Sequence, residues 1–282
     1  MKNLLMGTIF KYSWEEVEPF FRSFEFCKTT DTHIVAIVSQ MSKRSIRHLN
    51  RHGIETVEFD MNNAQGKWVT EYRWYLYKQY LEQSKTQYDK IFLSDIRDVI
   101  FQKDIFETSY DDPEWILFAQ ETEKLGYEES NATWFEKRFG KDELSAFSEK
   151  PIICAGTTLG TYNAIKLLID KMIDTMDDPK YYFSRNCDQA NMMYVIYKGM
   201  LGNTAIYTST NKTGPILTLY TEKNPKYDNN YVYNHHGDIA AVVHQYDPKQ
   251  PILDIVLRKY STASNLVHWM LHHHFRSFWR KQ

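Results

Sequence analysis

Apolar positions along the first hundred residues follow two alternating patterns. Glu55–Asp60 and Tyr88–Ser94 read as strands, and Leu4–Phe10 and His33–Ser39 are near-continuous apolar runs. Runs of this length predict strands covered on both faces. Between them, Trp14–Phe26, Lys43–Arg51 and Trp68–Gln83 carry helical periodicity. Ser42 is placed to cap the second of these and Gly53 to end it. Strand and helix alternating at this spacing predict a doubly wound α/β sheet with its chemistry at the carboxyl ends of the strands.

Beyond residue 110 the pattern loosens. Trp115–Ala119 predicts a strand, and the polar stretch Gly126–Ser148 predicts surface. Pro151–Gly156 predicts a strand entering a turn, followed by a helix over Tyr162–Met176. A second helix opens at Asp188 and runs to Tyr197, and Ile239–His244 predicts a late strand. No internal repeat or Pro/Gly/Ser linker divides the chain. The expected organisation is a doubly wound half over 1–110, an α+β extension over 111–256 on the same sheet, and a tail over 257–282.

Composition narrows the class. The chain has 282 residues, 43% of them hydrophobic, and a formal net charge of −2. That is enough core to fold without disulfides or structural metal, and the charge balance excludes a general nucleic-acid binder. Three cysteines, Cys27, Cys154 and Cys187, form no CxxC pair, which argues against a disulfide framework or zinc ribbon and fits a reducing compartment. Leu4–Phe10 is too short to span a bilayer. Asn131-Ala-Thr and Asn211-Lys-Thr match glycosylation sequons and are expected to be chance matches in a cytosolic protein.

The most informative segment is Ile91-Phe-Leu-Ser-Asp95-Ile-Arg97-Asp98-Val-Ile-Phe-Gln102. An apolar strand delivers two carboxylates to the sheet's carboxyl edge, where clustered negative charge calls for a shared cation or proton. Hard oxygen donors suit Mg2+ or Mn2+. The same residues also fit a turn capped by Arg97 and Asp98 with Asp95 facing solvent. His244, ending a late strand, offers a nitrogen ligand, although a lone histidine is commonly a hydrogen-bonded core residue.

Taken in order, four blocks resemble bacterial-type GT-A glycosyltransferases, enzymes that use nucleotide-diphospho-sugar donors. They are Asp95-Ile-Arg97-Asp98-Val-Ile-Phe-Gln, Ala155-Gly156-Thr157-Thr158-Leu-Gly160, Cys187-Asp188-Gln189 and Val243-His244-Gln-Tyr-Asp247. The resemblance extends to about Asp247. It implies a GT-A-like, Rossmann-type mixed sheet flanked by helices, and a sugar transfer from a nucleotide donor, a UDP-sugar first among them, to a glycan or lipid-linked acceptor. Asp95 matches the first acid of the family's DxD element, but Arg97 stands where the second is expected. Either Asp98 takes the metal role, so that the implied Mn2+ or Mg2+ ligands are Asp95, Asp98 and His244, which is the reading favoured, or the metal site is incomplete and the reaction depends less on metal. The resemblance also makes 1–110 the nucleotide-binding half and 111–256 the acceptor-side half. Arg73 and Arg97 fall to the donor, Thr8, Phe10 and Tyr12 to its base, and Gly156 and Thr157 to the sugar or acceptor. Asp188 and Gln189 would be catalytic: Asp188 either binds sugar hydroxyls, with retention of anomeric configuration, the outcome favoured, or deprotonates the acceptor hydroxyl, with inversion. Two alternatives stand beside this reading. One is a nucleotidyltransferase or nucleotide-sugar hydrolase, for which Gly7-Thr-Ile-Phe-Lys-Tyr is a poor phosphate loop. The other is a catalytically degenerate sugar-nucleotide-binding protein, suggested by Arg97.

The tail departs from the rest in composition. No acid follows Asp254, while Arg258, Lys259, Arg276, Arg280 and Lys281 interleave with Trp269, Phe275, Phe278 and Trp279. A basic aromatic amphipathic helix fits an anionic lipid surface, which implies a cytoplasmic protein peripheral on the inner face of the membrane. Joined to this tail, the resemblance to bacterial-type GT-A enzymes implies a role in surface polysaccharide or lipooligosaccharide assembly. Docking of the tail on the catalytic domain is the alternative.

Overall fold

The computed structural model describes residues 2–181 and 188–263. In chain order the elements are β1 (Lys2–Phe10), α1 (Trp14–Cys27), β2 (Thr32–Ser39), α2 (Lys43–Arg51), β3 (Glu55–Glu58), α3 (Val69–Gln83), β4 (Tyr88–Ser94) and β5 (Val99–Phe101). There follow β6 (Trp115–Lys124), α4 (Glu129–Phe139), α5 (Lys141–Phe147), β7 (Pro151–Thr161), α6 (Tyr162–Asp177), α7 (Asp188–Tyr197) and β8 (Ala205–Ser209). The last are β9 (Ile216–Thr218), β10 (Lys226–Tyr227), β11 (Val232–Tyr233), β12 (Val242–His244) and α8 (Gln250–Tyr260).

Seven strands form the central sheet in the order β3-β2-β1-β4-β7-β6-β8. The first four run parallel, and β7 runs antiparallel to both β4 and β6. Alternate residues of a strand face opposite sides. Leu4 and Met6 of β1 accordingly join a core with Trp74 and Tyr77 of α3 and Leu168 of α6, while Leu5 and Ile9 join a second core with Phe20 and Phe24 of α1. Burial on both faces is why these strands read as unbroken apolar runs. A smaller sheet, β5-β12-β9, rests on α8 through a third core that includes Val243, Tyr246 and Leu253.

Local signals account for the helix ends. Ser13 and Glu16 form a capping box at α1, with Ser13 N–H donating to Glu16 Oε2 at 2.9 Å. Ser42 Oγ accepts from Ser45 N–H at the start of α2, and Gly53 follows that helix at φ +71°.

Four expectations are corrected. Gly126–Ser148 is not plain surface: it holds α4 and α5, with Phe135, Phe139 and Arg138 buried. Arg138 is engaged internally, donating to the carbonyls of Thr175 (2.6 Å) and Met176 (3.1 Å) at the end of α6. Gly156 does not enter a turn. β7 continues to Thr161, but Phe118 pairs with Thr158 and the next residue, Ala119, pairs with Cys154, so residues 155–157 bulge out of the ladder. β3 ends at Glu58, and β12 spans only Val242–His244, with Ile239 bridging Tyr233.

α8 packs on α1, Tyr260 lying against Phe26 with ring centroids 6.0 Å apart, and its last turn carries Leu257 to Tyr260. The tail's aromatic residues Trp269, Phe275, Phe278 and Trp279, with Arg276, Arg280 and Lys281, lie outside the described residues, as does Cys187. Among the described residues no helix is long and apolar enough to cross a membrane.

Candidate active site at the carboxyl edge of the central sheet

Residues 95–98 form the bend between β4 and β5. Two strand pairings then bring distant residues to this bend. On one side β4 pairs with β7, and beyond its end Asp95 N–H donates to the Gly156 carbonyl of the β7 bulge at 2.7 Å. On the other, Val99 of β5 pairs with His244 of β12, and Gln245 N–H reaches the Asp98 carbonyl at 2.8 Å. Asp95, Asp98 and His244 thereby converge, one ligand atom from each lying within 4.8 Å of the others. His244 Nε2 stands 3.5 Å from Asp95 Oδ2 and 3.7 Å from Asp98 Oδ1. The histidine is buried, whereas the Asp95 side chain is 38% exposed, so the cluster opens to solvent through Asp95.

Two carboxylates and an imidazole fit a hard divalent cation. The packing leaves room around the donors because of Gly156: a Cβ there would lie 2.3 Å from His244 Cε1 and 2.6 Å from Asp95 Oδ2. Arg97 offers no ligand atom but borders the cluster, its guanidinium 3.5 Å from Asp98 Oδ2. It donates to Asp247 at 2.7 Å, and its guanidinium lies over the Tyr12 ring, 5.9 Å from the centroid.

Behind the cluster, α3 delivers Arg73 into the protein interior, not to solvent. Its guanidinium bonds Asp95 Oδ1, Asp188 Oδ2 (2.6 Å) and the bulge carbonyl of Ala155 (3.1 Å). Asp188 opens α7, and beside it Gln189 accepts from Ala155 N–H and donates to Glu121 Oε1 (3.2 Å) and Asn131 Oδ1 (2.8 Å). The bulged backbone of β7 is thus held from both sides by site residues.

The ionisation states follow from these contacts. Burial would raise Asp95, but Arg73 and His244 outweigh it and hold the carboxyl well below the usual range. Burial, only partly opposed by His244, raises Asp98. Burial also pushes Asp188 up to about 6 against the pull of Arg73, and Glu121 up to about 6 against that of Gln189. Burial opposes protonation of His244, but Cys154, Asp95 and Asp98 together raise it well above its ordinary value.

The site residues expected from the sequence therefore divide. Arg73, Asp95, Asp98, Gly156, Asp188, Gln189 and His244 share one centre, with Arg97 and Tyr12 at its margin. Thr8 bonds Tyr77 behind it. Phe10 is half-buried with the Lys11 ammonium 4.9 Å from its ring centroid, and Thr157 is fully buried with no partner for its hydroxyl. Sequence reasoning passed over Glu121, Asn131 and Cys154. Glu121 lies two residues past the expected end of its strand; Asn131 read only as a sequon. Both sequon asparagines are in fact buried and bonded internally, Asn131 to Glu128 and Gln189, Asn211 to Thr218 and Glu222.

Comparison with known proteins adds structural neighbours only: no family model and no curated protein matches the sequence. Among solved structures, the galactosyltransferase LgtC in complex with donor and acceptor sugar analogues aligns with a TM-score of 0.57 at 12% identity, over 92% of this chain and 97% of that one. An active-site mutant of LgtC aligns with a TM-score of 0.56 at 11% identity over the same shares. On this likeness over nearly the whole of both chains we assign this chain the GT-A fold.

Proposed function

We propose that the chain is a glycosyltransferase that moves a sugar from a nucleotide-diphosphate donor, first among them a UDP-sugar, to a glycan or lipid-linked acceptor. The observation that carries this reading is the Asp95–Asp98–His244 cluster at the carboxyl edge of a GT-A sheet, backed by Arg73 and Asp188. Breaking a sugar–phosphate bond leaves growing negative charge on the departing nucleoside diphosphate. A divalent Mn2+ or Mg2+ ion held by Asp95, Asp98 and His244 would supply Lewis-acid stabilisation of that charge. The chain's own residues do the rest. Arg73 holds Asp95 and Asp188 in fixed relation, and Arg97 and Tyr12 border the donor side. Asp188 and Gln189 contact the transferred sugar. Because Asp188 is engaged by Arg73, we assign it to positioning the sugar and not to deprotonating the acceptor, which agrees with retention of configuration. The basic aromatic tail keeps the enzyme on the inner face of the cell membrane.

The test is titration calorimetry with UDP in the presence of Mn2+, followed by an assay of nucleotide-sugar turnover and NMR of the product's anomeric proton. The expected outcome is metal-dependent UDP binding and turnover with a product of the donor's configuration, both lost in Asp98→Ala. Turnover and metal dependence intact in that variant would remove the metal assignment. Binding without any turnover would make the chain a sugar-nucleotide-binding protein.

A further inference from the structure

The histidine of the cluster has a second partner that the reaction does not use. His244 Nδ1 lies 3.3 Å from Cys154 Sγ, and both side chains are about 1–2% exposed. Cys154 is the residue of β7 that precedes the bulge, paired with Ala119 of β6, so its position is fixed by the sheet ladder. The opposite ring nitrogen, Nε2, is the one that faces the two carboxylates.

An imidazole that binds a cation through Nε2 must present a lone pair there and carry its proton on Nδ1. The second nitrogen of a metal-binding histidine normally gives that proton to a carboxylate or a backbone carbonyl, which fixes both tautomer and ring orientation. Here the group within reach of Nδ1 is a sulfur. A thiol sulfur is a weak acceptor and a larger atom than oxygen, so it fills the space behind the ring while taking the proton. The ring is also confined in front: Gly156 lies so close to it that a single added carbon would collide.

We propose that Cys154 is the positioning residue of the cation site: it accepts the Nδ1 proton of His244 and so holds Nε2 free, aimed at the point shared by Asp95 and Asp98. This rests on the metal-binding reading above. It goes further by assigning a residue that neither metal chemistry nor the DxD pattern points to, and it explains a buried cysteine whose thiol faces a ring nitrogen instead of the surrounding apolar core.

Mn2+ binding to the full chain, followed by loss of the free-ion EPR signal, tests this without reliance on activity. Cys154→Ala removes the acceptor, Cys154→Ser returns one. Removing such a partner typically weakens metal binding by roughly 10–100-fold; a loss of that order is expected in the alanine variant, with most of it recovered in the serine variant. In the Mg2+-loaded protein, long-range 15N–1H correlation should place the His244 proton on Nδ1, as ligation through Nε2 requires, and the Nδ1–H resonance should move between wild type, Cys154→Ser and Cys154→Ala as its acceptor changes, which a packing role would not produce. Alanine and wild type binding Mn2+ equally, or a proton found on Nε2 in the loaded protein, would overturn the assignment. A wild type that leaves the Mn2+ signal unchanged would overturn the metal site itself, a separate result.

Discussion

Glu121 shows how one residue's surroundings set its chemistry. Its Oε1 accepts from Gln189, its Oε2 is buried with no hydrogen-bond partner, and no cation pairs with it among the described residues. Burial therefore raises its pKa from 4.5 to about 6. Where a folded-state pKa exceeds the unfolded one, the proton favours the native state. The contribution is fully present below about 4.5, declines as pH rises through the interval, and is gone above about 6. At neutral pH the charged side chain thus costs stability, by up to about 2 kcal/mol at about 1.4 kcal/mol per unit. Glu121→Gln cannot ionise. Urea unfolding should find it more stable than the wild type at about pH 8 and no different in relative terms at about pH 4, the gap opening across that window. A difference independent of pH would show that the change acts through packing. The sequence places Glu121 just past a strand, but only the fold reveals that α4 and α7 close over it.

Helix α3 shows what an element contributes that its residues alone do not. Trp74, Tyr77 and Leu81 seat it on the sheet, and that anchoring drives Arg73 of the same helix between Asp95 and Asp188. An arginine in this position is more than a packing residue, because taking it away leaves two carboxylates facing each other with their common cation gone. Breaking a buried pair in this way costs about 3–5 kcal/mol. Arg73→Met should lose stability of that order in urea, and adding Asp188→Asn should recover part of it, because the second change removes one of the stranded charges. Strictly additive losses would mean that the two residues are not coupled. The helix itself was legible in the sequence, as were β1 and β2, since burial on both faces leaves a continuous apolar signature; the short strands β5 and β8 to β11 were not. The burial of Arg73 was not, and neither was the bulge in β7. Both depend on partners far along the chain: Asp188 lies 115 residues from Arg73, and His244 lies 90 from Cys154. The acids and the histidine were recognisable as types in a known order. Their convergence within 4.8 Å is a product of the β4–β7 and β5–β12 pairings, which no local pattern encodes.

At the scale of the molecule, the near-neutral charge of −2 averages over unlike parts. Residues 264–282 hold Arg276, Arg280 and Lys281 and no acid, so the remainder is more acidic than the whole. The described chain also says where this segment begins. After Tyr260 meets Phe26 near the end of α1, Thr262 N–H donates to Glu18 Oε2 at 3.1 Å, nearer the start of that helix. α1 starts just after Tyr12, which borders the candidate site. The described chain thus ends beside α1. Each cation near an anionic surface contributes about 1 kcal/mol; three give about 3 kcal/mol, roughly a 100-fold gain in partitioning, reinforced by Trp269 and Trp279 at the interface. Flotation with phosphatidylglycerol-rich vesicles should carry the full chain upward at low salt, release much of it at high salt, and leave a variant lacking residues 264–282 at the bottom of the gradient. Phosphatidylcholine vesicles should recover little of either. Equal flotation of the full chain and the truncated one would remove the tail from any part in membrane attachment.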